Sequence, residues 1–158
     1  DAGIIRINAE QEPQLTRLVK KHELAAYPLR EYQPLPVLRA ENAPSKSPFI
    51  TTARLKQMIE LSGRADALFS PGEALSNRRI TAQGFLSRIE LLCALPNAFM
   101  LNAPLPNAFL RKRSLIQLPA PELHGKTKEF VLSKKGAPSK AAEQLLPLLE
   151  AALNMQDY

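Results

Sequence analysis

Apolar residues along this chain come in short runs, broken by polar stretches rich in proline. Ala2 to Ile7, with its β-branched isoleucines, predicts a buried strand. The polar stretch Asn8 to Gln14 follows. Leu15 to Tyr27 then reads as extended or mixed, because Leu24 and Ala26 alternate with Glu23 and Ala25 and Pro28 stops any continuing helix. Five prolines between Pro28 and Pro48, with polar residues among them, predict an irregular crossing loop and the best candidate for a domain boundary.

Beyond that loop Phe49-Ile50 predicts a short strand, and Thr51 or Thr52 is suited to cap a helix with core face Leu55, Met58 and Ile59, ended by Gly63. Ala67-Leu68-Phe69 is a further brief apolar segment, turned by Ser70-Pro71-Gly72. Ile80 to Gln83 reads as a strand. Phe85, Leu86, Ile89, Leu92 and Cys93 recur at helical spacing and stop before Pro96-Asn97. Leu115 to Leu118 and Glu129 to Ser133 complete the strands. Ser139 is placed to open a last helix presenting Ala142, Leu145, Leu146, Leu149 and Leu153, kinked near Pro147. This alternation predicts an α/β domain with a largely parallel sheet.

One internal echo stands out: Leu95-Pro96-Asn97-Ala98-Phe99-Met100 against Leu105-Pro106-Asn107-Ala108-Phe109-Leu110. Solenoids need about three repeats to bury a core, so two copies read as two turn-then-apolar segments.

Composition narrows the function classes. A length of 158 residues with 45% hydrophobic content suits one domain. Lys and Arg exceed Asp and Glu by 21 to 15, a net +6 that biases the surface toward acidic ligands. There is no Trp, and the basic runs Arg111-Lys112-Arg113 and Lys134-Lys135 hold no aromatic to stack on a base, so both read as solvated surface. Cys93 is the only cysteine, which excludes an internal disulfide, points to a reducing, cytoplasmic location and suits a buried small apolar residue. No apolar stretch approaches the roughly 18 residues of a membrane span, and the first residues lack the basic region of a signal peptide. The chain opens on an apolar run, as if entering a domain midway.

Catalysis has few candidates. His22 lies between Lys21 and Glu23, and His124 lies in a Pro- and Gly-rich turn; both read as exposed polar residues. One cysteine and two isolated histidines do not make a zinc set, so no metal is expected. The six glycines form neither a dinucleotide fingerprint nor a phosphate loop, and no cofactor is expected. Sequence does not bring Asp66 near Glu73 or Glu41 near Glu60, so no acid–base pair is assigned and the chain reads as a non-enzyme.

The order of segments resembles the effector-binding domain of LysR-type transcriptional regulators, an α/β fold like that of type 2 periplasmic binding proteins. Asp1-Ala2-Gly3-Ile4-Ile5-Arg6 is similar to that family's Asp-x-Gly-Ile strand, which closes the first subdomain. Lys21 to Pro28 is similar to the next strand, and Tyr32-Gln33-Pro34-Leu35 sits where the family has a His-Pro-Leu turn. Ser47-Pro48-Phe49-Ile50-Thr51-Thr52 resembles the strand and helix start lining the cleft. Ile80 to Pro104 and Leu115 to Leu153 resemble the Leu-rich helix region and the closing segment. Two features depart from the pattern: Ala94-Leu95-Pro96-Asn97 replaces a Gly-rich turn, and the echo at Leu105 to Phe109 lengthens the region.

The resemblance implies an organisation of residues 1–30 as the end of the first subdomain and crossover, 31–118 as a largely complete second subdomain, and 119–158 as a return segment and C-terminal helix. The first subdomain would be partial, and DNA contact would reside in a helix-turn-helix domain outside this sequence. The implied function is binding of a small anionic effector in an inter-subdomain cleft and self-association as dimer or tetramer. Residue by residue the match assigns ligand contact to Arg6, Phe49, Ile50, Thr51, Thr52 and Asn102, with Arg6 as a bidentate partner and the helix start after Thr51 as a carboxylate seat. The competing readings are a solute-binding module of transport and a small basic nucleic-acid-binding protein.

Overall fold

A computed structural model of the chain describes residues 2–45, 47–63, 75–136, 143–144, 147–149 and 151. Two compact units emerge: unit 1 joins Asp1–Tyr32 to Lys126–Tyr158, and unit 2 is Gln33–Gly125.

Unit 1 is built on a three-stranded sheet in the order β1-β8-β2, with β1 at Ala2–Asn8, β2 at Leu24–Tyr32 and β8 at Thr127–Lys134. The central strand β8 runs antiparallel to both neighbours. Helix α1, Glu12–Lys21, takes Pro13 in its first turn, where the missing N–H costs nothing, and buries Leu15. It lies on the sheet face that carries Lys128 and Phe130: Lys128 bonds the Glu12 carboxylate, and Leu15 and Val19 share a cavity with Phe130.

The opposite face of that sheet carries a charged ladder. Directly paired residues share a face, and Glu129 on β8 pairs with Arg6 on β1 and with Arg30 on β2. Glu129 accepts from Arg6 Nε at 2.5 Å, from Arg30 Nε at 2.7 Å and from the Tyr32 hydroxyl at 3.3 Å. Arg30 also lies 5.0 Å from the centroid of the Tyr32 ring, a cation–π contact. Burial alone would push the Glu129 carboxyl up, but hydrogen bonds from Arg30 and Arg6 and their charges outweigh it and hold its pKa below the ordinary value. Burial, followed by the Glu129 charge, pushes Tyr32 up to about 12, so its hydroxyl stays a donor.

Unit 2 is built on a five-stranded mixed sheet, order β5-β4-β6-β3-β7. Its strands are β3 Leu35–Arg39, β4 Ile59–Ser62, β5 Arg79–Thr81, β6 Ala98–Asn102 and β7 Leu115–Gln117. β4 is parallel to β5 and β6, while β3 is antiparallel to β6 and β7. Alternation along these strands divides the apolar residues into two cores. Val37, Leu61, Ala98, Met100 and Leu115 pack with Ile89 and Leu92 of α3, Phe85–Ala94, and Leu110 of α4, Asn107–Arg111. Leu38 and Phe99 face the other way and pack with Ile50, with Met58 and with Leu55 of α2, Thr52–Lys56.

Several expectations are corrected. Leu15 to Tyr27 is not extended or mixed: α1 fills its first part, since Leu15, Leu18 and Val19 stand at i, i+3, i+4. The proline-rich crossing is largely regular up to Asn42 and irregular beyond it, over the described residues 43–45 and 47–48. β2 runs through Pro28 on an edge strand, with a register shift between Pro28 and Arg30, and β3 contains Pro36, whose carbonyl still accepts from Leu118 N at 3.1 Å. Phe49-Ile50 is no strand, and the helix after Thr51 ends at Lys56, so Ile59 belongs to β4 and Gly63 follows a strand. Among the described strand pairings only those of β4 are parallel, because β8 and β3 each run against both neighbours. Cys93 is exposed on α3, not buried. Of the last helix, residues 143–144, 147–149 and 151, including Leu149 and Pro147, are helical, while Ser139, Ala142, Leu145, Leu146 and Leu153 lie outside the described residues. Ala67-Leu68-Phe69 and the turn at Ser70-Pro71-Gly72 do so as well.

The echoed hexapeptides adopt opposite structures. In the first copy Asn97 takes φ 58° and Ala98-Phe99-Met100 enters β6 between β4 and β3. In the second, Pro106 precedes the helix α4, and Phe109 packs against Phe85 with ring centroids 5.8 Å apart.

Two predictions follow from packing and charge. Phe99 is fully buried and Leu86 is 63% exposed, although both count as apolar. Phe99→Ala is expected to cost about 3–5 kcal/mol in urea unfolding and Leu86→Ala less than about 0.5 kcal/mol. Glu129→Gln is expected to cost about 1–3 kcal/mol, below the value for a fully enclosed pair because solvent reaches the arginines. The lowered pKa of Glu129 in the folded protein means that its contribution is complete above the unfolded carboxylate value and is lost as pH falls through the folded one. Stability measured from pH 6 down to acid, at about half-unit steps, should therefore fall less steeply in Glu129→Gln than in the original chain.

Candidate functional site

In open α/β sheets, ligands bind beyond the carboxyl ends of parallel strands. In unit 2 those ends belong to β5, β4 and β6, and they carry Thr81, Ser62 and Asn102. Thr81 pairs directly with Ser62, and their hydroxyls stand 3.2 Å apart. Each hydroxyl both donates and accepts, so the pair can reorient its protons to suit a small polar ligand.

The chain leaving β6 is held by Gln117 of β7. Its carboxamide oxygen accepts from Leu105 N at 2.8 Å, and its nitrogen donates to the carbonyls of Asn102 at 3.3 Å and Ala103 at 3.0 Å. The Asn102 side chain donates to the Ala103 carbonyl at 3.1 Å. Below Ser62 and Thr81 on the same strand faces, buried Glu60 binds Arg79 Nη2 at 2.7 Å and Ser76 N at 3.3 Å, which fixes β4 against β5.

The site residues expected from the sequence are dispersed. Arg6 lies in unit 1, on the ladder face of β1, where Glu129 takes its Nε. Ile50 is fully buried against Phe99 and Leu55, and its N–H goes to the Pro119 carbonyl at 2.9 Å, so its side chain serves packing. Thr51 caps α2 by accepting from Arg54 N at 3.3 Å. Thr52 gives its N–H, at 2.9 Å, and its hydroxyl to the Glu122 carboxylate, so this chain's own anion occupies the seat expected for a ligand. That contact lowers the pKa of Glu122.

The exposed Phe49 ring and Thr51 line a recess of about 380 Å³ with Asn42, Pro44, Ser47 and Arg54. Asn102 does not line it. Because β3 and β6 are antiparallel with Leu35 opposite Asn102, the Arg39 end of β3, which leads into Glu41 and Asn42, is the end away from Asn102. Ser62, Thr81, Arg30, Tyr32 and Glu129 were all missed by sequence reasoning. The strict alternation of Ile59 and Leu61 with Glu60 and Ser62 is the signal that marks β4 and hence Ser62. No signal of comparable strength marks the ladder, which depends on pairing between distant segments. Among the described residues no group of three or more potential metal ligands occurs, and no helix is long and apolar enough to cross a membrane.

No protein-family model and no curated protein matches the chain. Solved structures do. The reduced form of OxyR matches with a TM-score of 0.65 at 17% identity, over 100% of this chain and 73% of that one. The regulatory domain of MetR, a LysR family regulator from N. meningitidis, matches with a TM-score of 0.62 at 10% identity, over 99% of this chain and 71% of that one. The effector-binding domain of QuiR in complex with shikimate matches with a TM-score of 0.57 at 14% identity, over 100% and 73%. The chain thus has the α/β fold of the regulatory, effector-binding domains of LysR-family transcriptional regulators.

Proposed function

We propose that this chain is the effector-sensing part of a LysR-type transcription regulator, that it binds a small anionic molecule, and that DNA contact belongs to a helix-turn-helix domain outside this sequence. The observation that carries the reading is the hydroxyl pair of Ser62 and Thr81 at the carboxyl ends of parallel strands, on a fold whose solved relatives are regulatory domains. One such relative holds shikimate, a small carboxylate. The net charge of +6 favours an anionic ligand. Candidate contacts are Ser62, Thr81 and Asn102 in unit 2; Phe49 and Thr51 are a separate candidate at their own recess, while Arg6 is engaged by Glu129 in unit 1, Thr52 by Glu122 and Ile50 by the core. Ligand binding then biases the conformation of the chain and its self-association as dimer or tetramer, and the effect reaches the DNA-binding domain. The chemistry needed is recognition, so the reading requires no nucleophile, metal or cofactor, and it places the protein in the cytoplasm.

The reading predicts that isothermal titration with a panel of small carboxylates, shikimate among them, finds at least one saturable ligand. Ser62→Ala and Thr81→Val are each expected to weaken that ligand about tenfold, as loss of one polar contact does. Thr51→Ala should leave affinity within about twofold while lowering stability by about 1 kcal/mol, the usual cost of losing a helix cap. No saturable carboxylate, or full affinity retained in Ser62→Ala and Thr81→Val together, would contradict the proposal.

A further inference from the structure

Helix α1 and the sheet of unit 1 leave between them a cavity of about 410 Å³. Its apolar lining comes from both sides: Leu15 and Val19 from α1, Phe130 from β8 and Ala26 from β2. A pocket of this size with a mostly apolar lining and a few polar groups is of the kind that holds small organic ligands.

The charges around it are unequal. Lys128 is neutralised by the Glu12 carboxylate, which also lines the cavity. Lys20 and Lys135 line it as well, and among the described residues neither has an ion-pair partner. Two ammonium groups that pair with no carboxylate among the described residues therefore stand beside apolar surface. An ammonium is a point charge on a flexible stem, suited to meet one compact anionic head group. The hydroxyl in the lining, that of Thr16, already donates to the Glu12 carbonyl at 3.0 Å, which disfavours a ligand with several charged groups.

We propose that this cavity is a binding site for a small amphipathic monocarboxylate, with its apolar body against Leu15, Val19 and Phe130 and its carboxylate held by Lys20 and Lys135. The site is independent of the function proposed above. Alternation along β8 sends Phe130 and Lys128 to the α1 face, and Glu129, with its partners Arg6 and Arg30, to the other. A ligand in the cavity would touch β8 and β2 from behind the charged ladder.

The test uses octanoate as probe on the whole chain, followed by amide chemical shifts in nuclear magnetic resonance, with acetate and 1-octanol as probes lacking the apolar body or the charge. Octanoate is expected to move the amides of Val19, Ala26 and Phe130 saturably, and acetate and 1-octanol to bind at least tenfold more weakly. The double variant Lys20→Gln with Lys135→Gln should weaken octanoate roughly tenfold, the combined effect of two exposed charge contacts, without changing the melting temperature. Absence of saturable binding, equal binding of 1-octanol, shifts centred on Arg6 and Arg30 instead, or unchanged octanoate affinity in the double variant would each overturn the proposal.

Discussion

Successive residues of a β-strand point to opposite faces, and both sheets of this protein are organised by that constraint. On β8 it separates Glu129 from Lys128 and Phe130, so that one face carries an arginine–carboxylate–arginine ladder while the other receives α1. On the strands of unit 2 it separates Val37 from Leu38 and Phe99 from Met100, giving two apolar cores from one sheet. A one-residue slip in either sheet would exchange these faces, exposing the cores or burying lone charges. Glu129 makes the register of unit 1 strict, since its carboxylate is buried and satisfied only when Arg6 and Arg30 stand opposite it.

Local signals were sufficient where an element's pattern and surroundings agree. The helix from Phe85 and the strands at Leu115 and around Val131 are legible because their apolar spacing matches the faces they bury, whereas the strand from Ala2, expected to be buried, buries only Ile7 and leaves Ile4 exposed at the side of its sheet. Proline misled at Pro28 and Pro36. It removes a donor, but at the edge of a sheet and near the start of a strand the lost hydrogen bond has little cost. The repeated Leu-Pro-Asn-Ala-Phe shows the limit of local reading. The same five residues enter a strand from Leu95 and a helix from Leu105, and what differs is the sheet position waiting for Ala98 and the ring of Phe85 waiting for Phe109.

The candidate site was legible in part for related reasons. Arg6 stands on a strand that its apolar run located and Asn102 ends the first of the two turn-then-apolar segments, whereas Ser62 stands on β4, which the helical spacing of Leu55, Met58 and Ile59 concealed. Phe49 and Thr51 do share a recess, but Ile50 faces the core and Thr52 is engaged by Glu122, a partner 70 residues away that no local pattern reveals. Arg6 gives its guanidinium to Glu129, so a change there alters the charged ladder of unit 1.

The central claim is that unit 2 binds a small anion at the carboxyl ends of its parallel strands. It is tested most directly by mapping, with amide and side-chain chemical shifts, where the tightest carboxylate of a small-molecule panel sits on the intact chain. The account predicts perturbations at Ser62, Thr81 and Asn102. Perturbations that spare all three residues would contradict it.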